Sequence, residues 1–343
     1  MKRTLKNLLL LAGFCLLAVI GAASWLLWTA SAAVPLKLNG SDVVDFDIRP
    51  GLGLKGAAQA MADAGVGVVP WQFALIGRLT GRDRNIKAGA YEVGANGEMV
   101  TAWQLLEKLT AGDVTQTEVV IVEGKTFREL RAKLAAHPEV KQDSAGMSDG
   151  ELLQRIGAVE THAEGRFFPD TYLFAKQASD LAIYRRAYQA MQKRLATAWD
   201  KRDPGVPYRN IEEALIMASI IEKETGTEAD RGKVASVFVN RLRIGMRLQT
   251  DPTVIYGLGE RFDGNLRKID LLTDTPYNTY TRAGLPPTPI SLPGMASIQA
   301  ALNPPATDYF YFVATSKGDG TSVFSKTLEE HNRAVNKYQR GRG

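Results

Sequence analysis

The sequence predicts an α+β protein in three parts: an N-terminal transmembrane helix, a small α/β module, and a larger mixed α+β domain. Three observations predict it. An apolar run from Leu8 to Trp28 lies in a stretch with no charged residue between Lys6 and Lys37. Residues 43–137 then switch between a period of two, which suits strands, and a period near 3.6, which suits helices. From residue 151 long helical patterns give way to loops built around Pro and Gly and rich in Asn, Gln, Thr and Tyr. The 343 residues leave room for two or three modest domains beyond the apolar segment. A hydrophobic content of 45% with 23% charged residues is that of a folded chain.

Lys2, Arg3 and Lys6 precede the apolar run. About 20 such residues span a bilayer as a helix. Residues 8–28 are therefore expected to cross a membrane, with residues 1–7 a cytoplasmic tail and Trp25 and Trp28 at the far interface. Ala30-Ser31-Ala32 has the small-x-small form of a signal-peptidase site. The run is longer than the roughly 7–15 residues of a signal-peptide core, which favours an uncleaved anchor. Everything after residue 36 then lies outside the cytoplasm, where ATP and nicotinamide cofactors are absent. No glycine-rich phosphate loop is present, and cofactor-free chemistry is the economical expectation. The single cysteine, Cys15, lies inside the apolar run and can form no disulfide within the chain. His137, His162 and His331 lack metal-ligand spacing, so no metal is expected. The net charge of +5 is spread along the chain. It suits an anionic polymer or a membrane surface as neighbour and does not single out nucleic acid.

Within the module, Val43 to Ile48 alternates as a strand, and Leu54–Ala64 and Pro70–Leu79 are helical in pattern. Ile86 to Val93 returns to a strand, and Thr101 to Leu109 has helical spacing. A second strand, Glu118 to Glu123, leads through Gly124-Lys125 to Thr126, which caps a helix running to Leu134. Residues 138–150 are turn-rich and read as a linker.

The larger domain opens with Glu164-Gly165-Arg166-Phe167-Phe168-Pro169-Asp170-Thr171-Tyr172, then a helix from Leu181 to Trp199 with Tyr184, Ala187, Tyr188, Met191 and Leu195 on one face. Asn210 and Glu213 read as a capping box opening a further helix that Gly226 stops, and Arg231 to Leu242 forms the next. Wound at about 100° per residue, Glu222 falls between Ile211 and Leu215, at the end of an apolar stripe, while Glu224 falls beside Glu213 and Met217. A carboxyl so placed is costly to ionise. One that keeps its proton can serve as a general acid. The plainer alternative is a helix-end Glu that reaches water. The loops that follow hold Gln249, Thr250, Asp251 and Tyr256, then Tyr277, Asn278 and Tyr280, then Gly284 to Ile290. Amide, hydroxyl and aromatic groups on rigid loops suit a neutral polyhydroxylated ligand such as a sugar chain.

The runs Ala218–Thr225, Val234–Leu242, Met246–Tyr256 and Tyr277–Tyr280, with Glu164–Tyr172 and Gly284–Pro287, closely resemble the YceG-like family of endolytic murein transglycosylases. The resemblance covers nearly the whole chain. It implies a LysM-like module over residues 43–137 and a catalytic domain over 151–337. It also implies single-pass anchoring in the cell inner membrane, with the enzyme in the periplasm cutting nascent peptidoglycan strands. The catalytic acid it implies is Glu222, with Glu224 the alternative. Gln249, Thr250, Asp251, Tyr256, Tyr277, Asn278 and Tyr280 would hold the glycan. One carboxyl suffices if the sugar's own C6 hydroxyl replaces water. A second one, such as Asp251 at about 5 Å, would make hydrolysis possible. A muramidase-type hydrolase, a glycan-binding protein without activity, and a scaffold for peptidoglycan synthases are the competing readings.

Overall fold

The computed structural model describes residues 2–38, 43–49, 51–94, 99–111, 116–175, 178–224, 227–315, 320–339 and 341. The chain divides into two units, Met1–Glu118 with Leu173–Ala178, and Val119–Tyr172 with Ser179–Gly343. The strand–helix segment that follows residue 118, which sequence patterning grouped with the N-terminal module, thus belongs to the second unit.

In the first unit, helix α1 (Lys2–Ser31) is continuous through the apolar run. Among the described residues no helix is long and apolar enough to cross a membrane. Strand β1 (Val44–Ile48), helices α2 (Leu54–Ala64) and α3 (Pro70–Leu79), and strand β2 (Gly89–Val93) follow. The strands pair antiparallel, Val44 opposite Val93 and Ile48 opposite Gly89. Alternation buries Val44, Phe46 and Ile48, and the Phe46 and Tyr91 rings stack at 5.6 Å. Helix α4 (Ala102–Ala111) buries Leu105, Leu106 and Leu109 in the same core. Helices α2 and α3 approach so closely that a Cβ on Gly77 would lie 2.1 Å from Leu54 Cδ2.

Strand β3 (Gln116–Val120) ends earlier than the sequence pattern suggests, leaving Glu123 in the turn before helix α5 (Phe127–Ala135). Thr126 and Glu129 close a full capping box there. The segment expected to be a linker is built into the fold. It carries strand β4 (Val140–Lys141), and a Ser148–Glu151 capping box opens helix α6 (Asp149–Ile156). Ser144 within it is buried and donates its hydroxyl to the buried Asp180. Strands β5 (Thr171–Ala175) and β6 (Ala178–Ser179) pair with β3 and β4 respectively.

Helices α7 (Asp180–Asp200), α8 (Ile211–Glu224) and α9 (Glu228–Arg243) then form the framework of the second unit. They are followed by α10 (Asp251–Leu258), the short α11 (Lys268–Leu272) and α12 (Met295–Leu302). A hairpin of β7 (Tyr311–Ala314) and β8 (Ser322–Ser325) and the final helix α13 (Leu328–Tyr338) complete it. Helix α8 is central, packed by α7, α9, α10 and α12. Every residue from Ala214 to Ile221 is buried. The sequence suggests an apolar stripe, but the helix is enclosed all round. Glu222, Lys223 and Glu224 are where it emerges.

Candidate active site

Helix α8 starts as expected in part: Asn210 Oδ1 accepts the Glu213 N–H at 3.0 Å. The Glu213 carboxylate accepts the Arg209 N–H at 2.7 Å. The predicted stop at Gly226 lies outside the described residues. At the other end, buried Ser219 fixes the neighbouring segment. Its Oγ accepts the Ile290 N–H at 3.0 Å, and Ser291 donates its hydroxyl to the Ser219 carbonyl at 3.0 Å. The chain from Ile290 to Gly294 is thereby laid along α8. A reciprocal pair ties it to the turn after β3: Gly124 N–H to the Leu292 carbonyl at 2.9 Å, and Leu292 N–H to the Lys125 carbonyl at 2.7 Å.

Glu222 points into the place where these segments meet. It is half-buried. Its Oε2 accepts the backbone N–H of Gly294 at 2.9 Å, and Gly294 is the N-cap of α12. A carboxylate at a helix N-terminus is stabilised by the free N–H groups and the helix dipole. Lys223, next along α8, donates to the Gly124 carbonyl at 3.3 Å.

A second carboxyl group lies at the same glycine. A Cβ built on Gly294 would be 1.8 Å from Glu123 Oε1, so a side chain there would displace the flexible tip of that carboxylate. The Gly294 backbone (φ −78°, ψ 172°) is open to any residue, and it is the space beside its Cα, not its conformation, that the Glu123 carboxylate uses. Partial burial and the charge of Glu222 hold the Glu123 carboxyl above its ordinary value, and Arg231 pulls it the other way. Sequence reading missed Glu123 because the preceding alternation was carried through it as strand. The only signal was a Glu-Gly pair in the turn after a strand, where functional groups often sit.

Glu224, two residues on, faces another way. Thr250, buried at the start of α10, donates its hydroxyl to Glu224 Oε1. Burial raises the Glu224 carboxyl above its ordinary value; the Thr250 hydrogen bond lowers it, the Asp251 charge raises it and Arg241 lowers it. Thr250 is further held through its N–H to Thr279 Oγ1 at 3.1 Å. Exposed Asp251 accepts the hydroxyl of Tyr280, and burial followed by that contact raises the phenol. Buried Arg241 closes this side, donating to the carbonyls of Leu248 at 2.6 Å and Phe310 at 2.7 Å.

A third group centres on Glu164, which is 7% exposed. It accepts the Phe127 N–H at 2.9 Å and the Tyr256 hydroxyl at 3.1 Å. Burial pushes its carboxyl up to about 7, against the lowering effect of those hydrogen bonds. Tyr256 packs on Tyr277 at 5.0 Å, and the Tyr277 hydroxyl meets Thr288 Oγ1 at 2.8 Å.

The expected glycan-holding residues therefore separate. Tyr256, Tyr277 and Tyr280 are half-buried, with their hydroxyls engaged by protein groups. Asn278 is 1% exposed: its amide donates to the carbonyls of Asp270, Leu271 and Thr273, and its Oδ1 accepts the Tyr280 N–H. Gln249 is exposed and holds φ at +49°, a left-handed conformation rare outside glycine. Such strain persists where surrounding structure enforces it. Among the described residues no cluster of three or more His, Cys, Asp or Glu side chains could hold a metal ion.

The model of the YceG-like family matches residues 46–337. The chain is 32% identical over 337 residues to an endolytic murein transglycosylase of Bacillus subtilis (strain 168), covering 93% of this chain and 91% of that one. An endolytic murein transglycosylase of Streptococcus pneumoniae (strain D39) is 31% identical over 179 residues, 50% of this chain and 31% of that one. The crystal structure of a yceG-like protein from Listeria monocytogenes superposes with a TM-score of 0.55 at 34% identity, over 85% of this chain and 98% of that one.

Proposed function

The chain belongs to the YceG-like family, and on that premise we propose that it is an endolytic murein transglycosylase in which Glu222 is both acid and base. The observation that carries this reading is the Glu222 carboxyl, half-buried at the end of the central helix with the Gly294 N–H on its Oε2. Glu222 delivers its proton to the oxygen of the MurNAc–GlcNAc β-1,4 bond, and the bond to C1 of MurNAc breaks as positive charge develops there. The Gly294 N–H and the α12 N-terminus then stabilise the carboxylate that remains. That carboxylate takes the proton of the C6 hydroxyl as the C6 oxygen closes on C1. A 1,6-anhydro end forms, Glu222 is protonated again, and no water is consumed. Glu224 is the less suitable acid, since Thr250 already occupies it.

Around this centre, exposed Gln249 and Asp251 and the rings of Tyr256, Tyr277 and Tyr280 are suited to holding the sugar in a near-attack form. The strand–helix–helix–strand arrangement of β1, α2, α3 and β2 supports a LysM-like glycan-binding role for the N-terminal module. The basic residues Lys2, Arg3 and Lys6 in the first turns of α1 and the apolar sequence that follows them support a single-pass anchor in the inner membrane, with the enzyme outside the cytoplasm where new strands and their synthases lie.

Purified protein incubated with isolated glycan strands, with the new sugar ends weighed by mass spectrometry, tests the reading. The parent is expected to leave anhydro ends, and Glu222→Gln to lose at least about a hundredfold in rate. Undiminished cleavage by that variant rules out the role of Glu222. Reducing ends one water heavier would instead assign a muramidase.

A further inference from the structure

Arg231 lies in the first turns of α9, which begins at Glu228 soon after α8 ends at Glu224. Val234, Ala235 and Phe238 share its helix face and are buried with Ile220 and Ile221 of α8 and Ile298 of α12. Arg231 therefore stands on the face of α9 that packs on α8 and α12. Its charge acts on Glu123, whose Oε1 sits beside Gly294. Arg231 is half-buried, and its Nε is covered with no hydrogen-bond partner among the described residues. Thr227, one helical turn earlier on the same face, also leaves its Oγ1 buried and unpartnered. It stands at the N-cap of α9 yet makes no side-chain cap bond. Buried polar atoms are nearly always satisfied, and two orphans one turn apart call for a group that the protein does not supply. The neighbouring charges are engaged elsewhere. Asp230 accepts the Ser322 N–H at 2.7 Å and lies 3.6 Å from Lys233. Lys125 is turned to Glu129 at 2.8 Å, and Lys223 donates to the Gly124 carbonyl at 3.3 Å.

We propose that Arg231 is a substrate-binding residue that receives a carboxylate carried by the C3 substituent of MurNAc, the sugar whose C1 bond Glu222 cleaves. This rests on the reading of the chain as a murein-cleaving enzyme. The C3 substituent is a lactyl group. Its carboxyl is free on a strand stripped of peptide; on a peptide-bearing strand it is an amide, and the nearest free carboxylates belong to the stem peptide. Either carboxylate enters a corner that already holds Glu222 and Glu123, which repel it unless a cation meets it. Of Lys125, Lys223 and Arg231, the arginine is the one with donors to spare. A guanidinium has five N–H groups and meets a carboxylate with two parallel bonds. Arg231 thereby fixes the ring over Glu222 and selects murein over glycans with no acidic C3 substituent.

The experiment is KM and kcat for strand cleavage by the parent, Arg231→Gln and Arg231→Lys. The substrates are stripped and peptide-bearing strands, each before and after reduction of its carboxyls to alcohols. Dissociation constants of the same strands for Glu222→Gln, with and without Arg231→Gln, give affinity apart from turnover. Loss of a hydrogen bond between charged groups should raise KM and Kd about tenfold for Arg231→Gln on strands with free carboxyls. Its kcat should change little, and on reduced strands it should match the parent. Reduction should weaken binding to the parent by the same factor and to Arg231→Gln no further. Arg231→Lys should keep part of the affinity, since it keeps the charge without the fork. The preparation that shows the difference names the source: stripped strands the lactyl group, peptide-bearing strands the stem. Free and reduced strands are compared on one protein, so a variant that folds less well cannot imitate the result. No change on any strand, or an equal rise on free and reduced strands, overturns the proposal. A lower kcat at the parent's KM also overturns it and assigns Arg231 to Glu123 instead of the substrate. Undiminished cleavage by Glu222→Gln removes that acid, and the ratio of affinities on free and reduced strands still judges Arg231.

Discussion

Replacing Glu164 by Gln should make the protein more stable in mild alkali and leave it nearly unchanged in mild acid. The Glu164 carboxyl is 7% exposed, and burial raises it from 4.5 to about 7. In the unfolded chain the same group ionises near its ordinary value. Between those two pH values the folded protein therefore binds more protons than the unfolded chain, and stability falls as pH rises. At about 1.4 kcal/mol per pH unit, the charge at Glu164 costs roughly 3 kcal/mol once pH passes 7. The loss vanishes well below pH 4.5, where both states hold the proton. Glutamine has the same shape and no charge. Its Oε1 can accept the Phe127 N–H, and the Tyr256 hydroxyl can turn to accept from its amide. Urea unfolding of parent and Glu164→Gln at pH 5 and pH 8 measures the effect. The difference in stability between the two proteins should open by about 2.5 kcal/mol from the lower to the higher pH, with the urea slope unchanged. Parallel curves would refute the argument, and a variant less stable at pH 8 would reverse it, because ionised Glu164 would then be a net stabiliser.

Two further substitutions separate structural from ligand-holding roles. Asn278→Ala leaves the carbonyls of Asp270, Leu271 and Thr273 without their donor and the Tyr280 N–H without its acceptor. It should cost about 2–3 kcal/mol in urea unfolding with little change in KM; a raised KM at parent stability would return Asn278 to the glycan. Ser219→Ala strands the buried Ile290 N–H, which should cost about 1–3 kcal/mol and speed hydrogen exchange at Ile290. Unchanged exchange there would mean that Ser219 does not hold the segment leading to Gly294.

Much of this architecture is legible in the amino-acid order because its causes are local. Helices α2 and α3 begin and end where periodicity and the Pro70 N-terminus put them, and Thr126 caps α5 with a side chain only three residues from its partner Glu129. The buried face of α7 follows from Tyr184, Ala187, Tyr188, Met191 and Leu195, which recur at helical spacing. Helix α8 was harder. Its residues suggest one apolar stripe, but four packed helices enclose it, and every residue from Ala214 to Ile221 is buried.

The sequence by itself determined the YceG-like family, the order of helices and strands from β1 to α5 and from α7 to α9, and the place of Glu222 at the end of an apolar helix. Those features depend on residues a few positions apart or on long characteristic motifs. Tertiary structure alone decided what surrounds that acid. Gly294 reaches Glu222 from 72 residues away, and the Gly124 turn reaches Lys223 across 99. It also set the Asn278 amide to stapling a loop and gave Thr250 to Glu224. A carboxylate or an amide has the same formula whether it meets a backbone N–H, another carboxylate or a sugar. Its role is set by the groups that folding brings within about 3 Å of it.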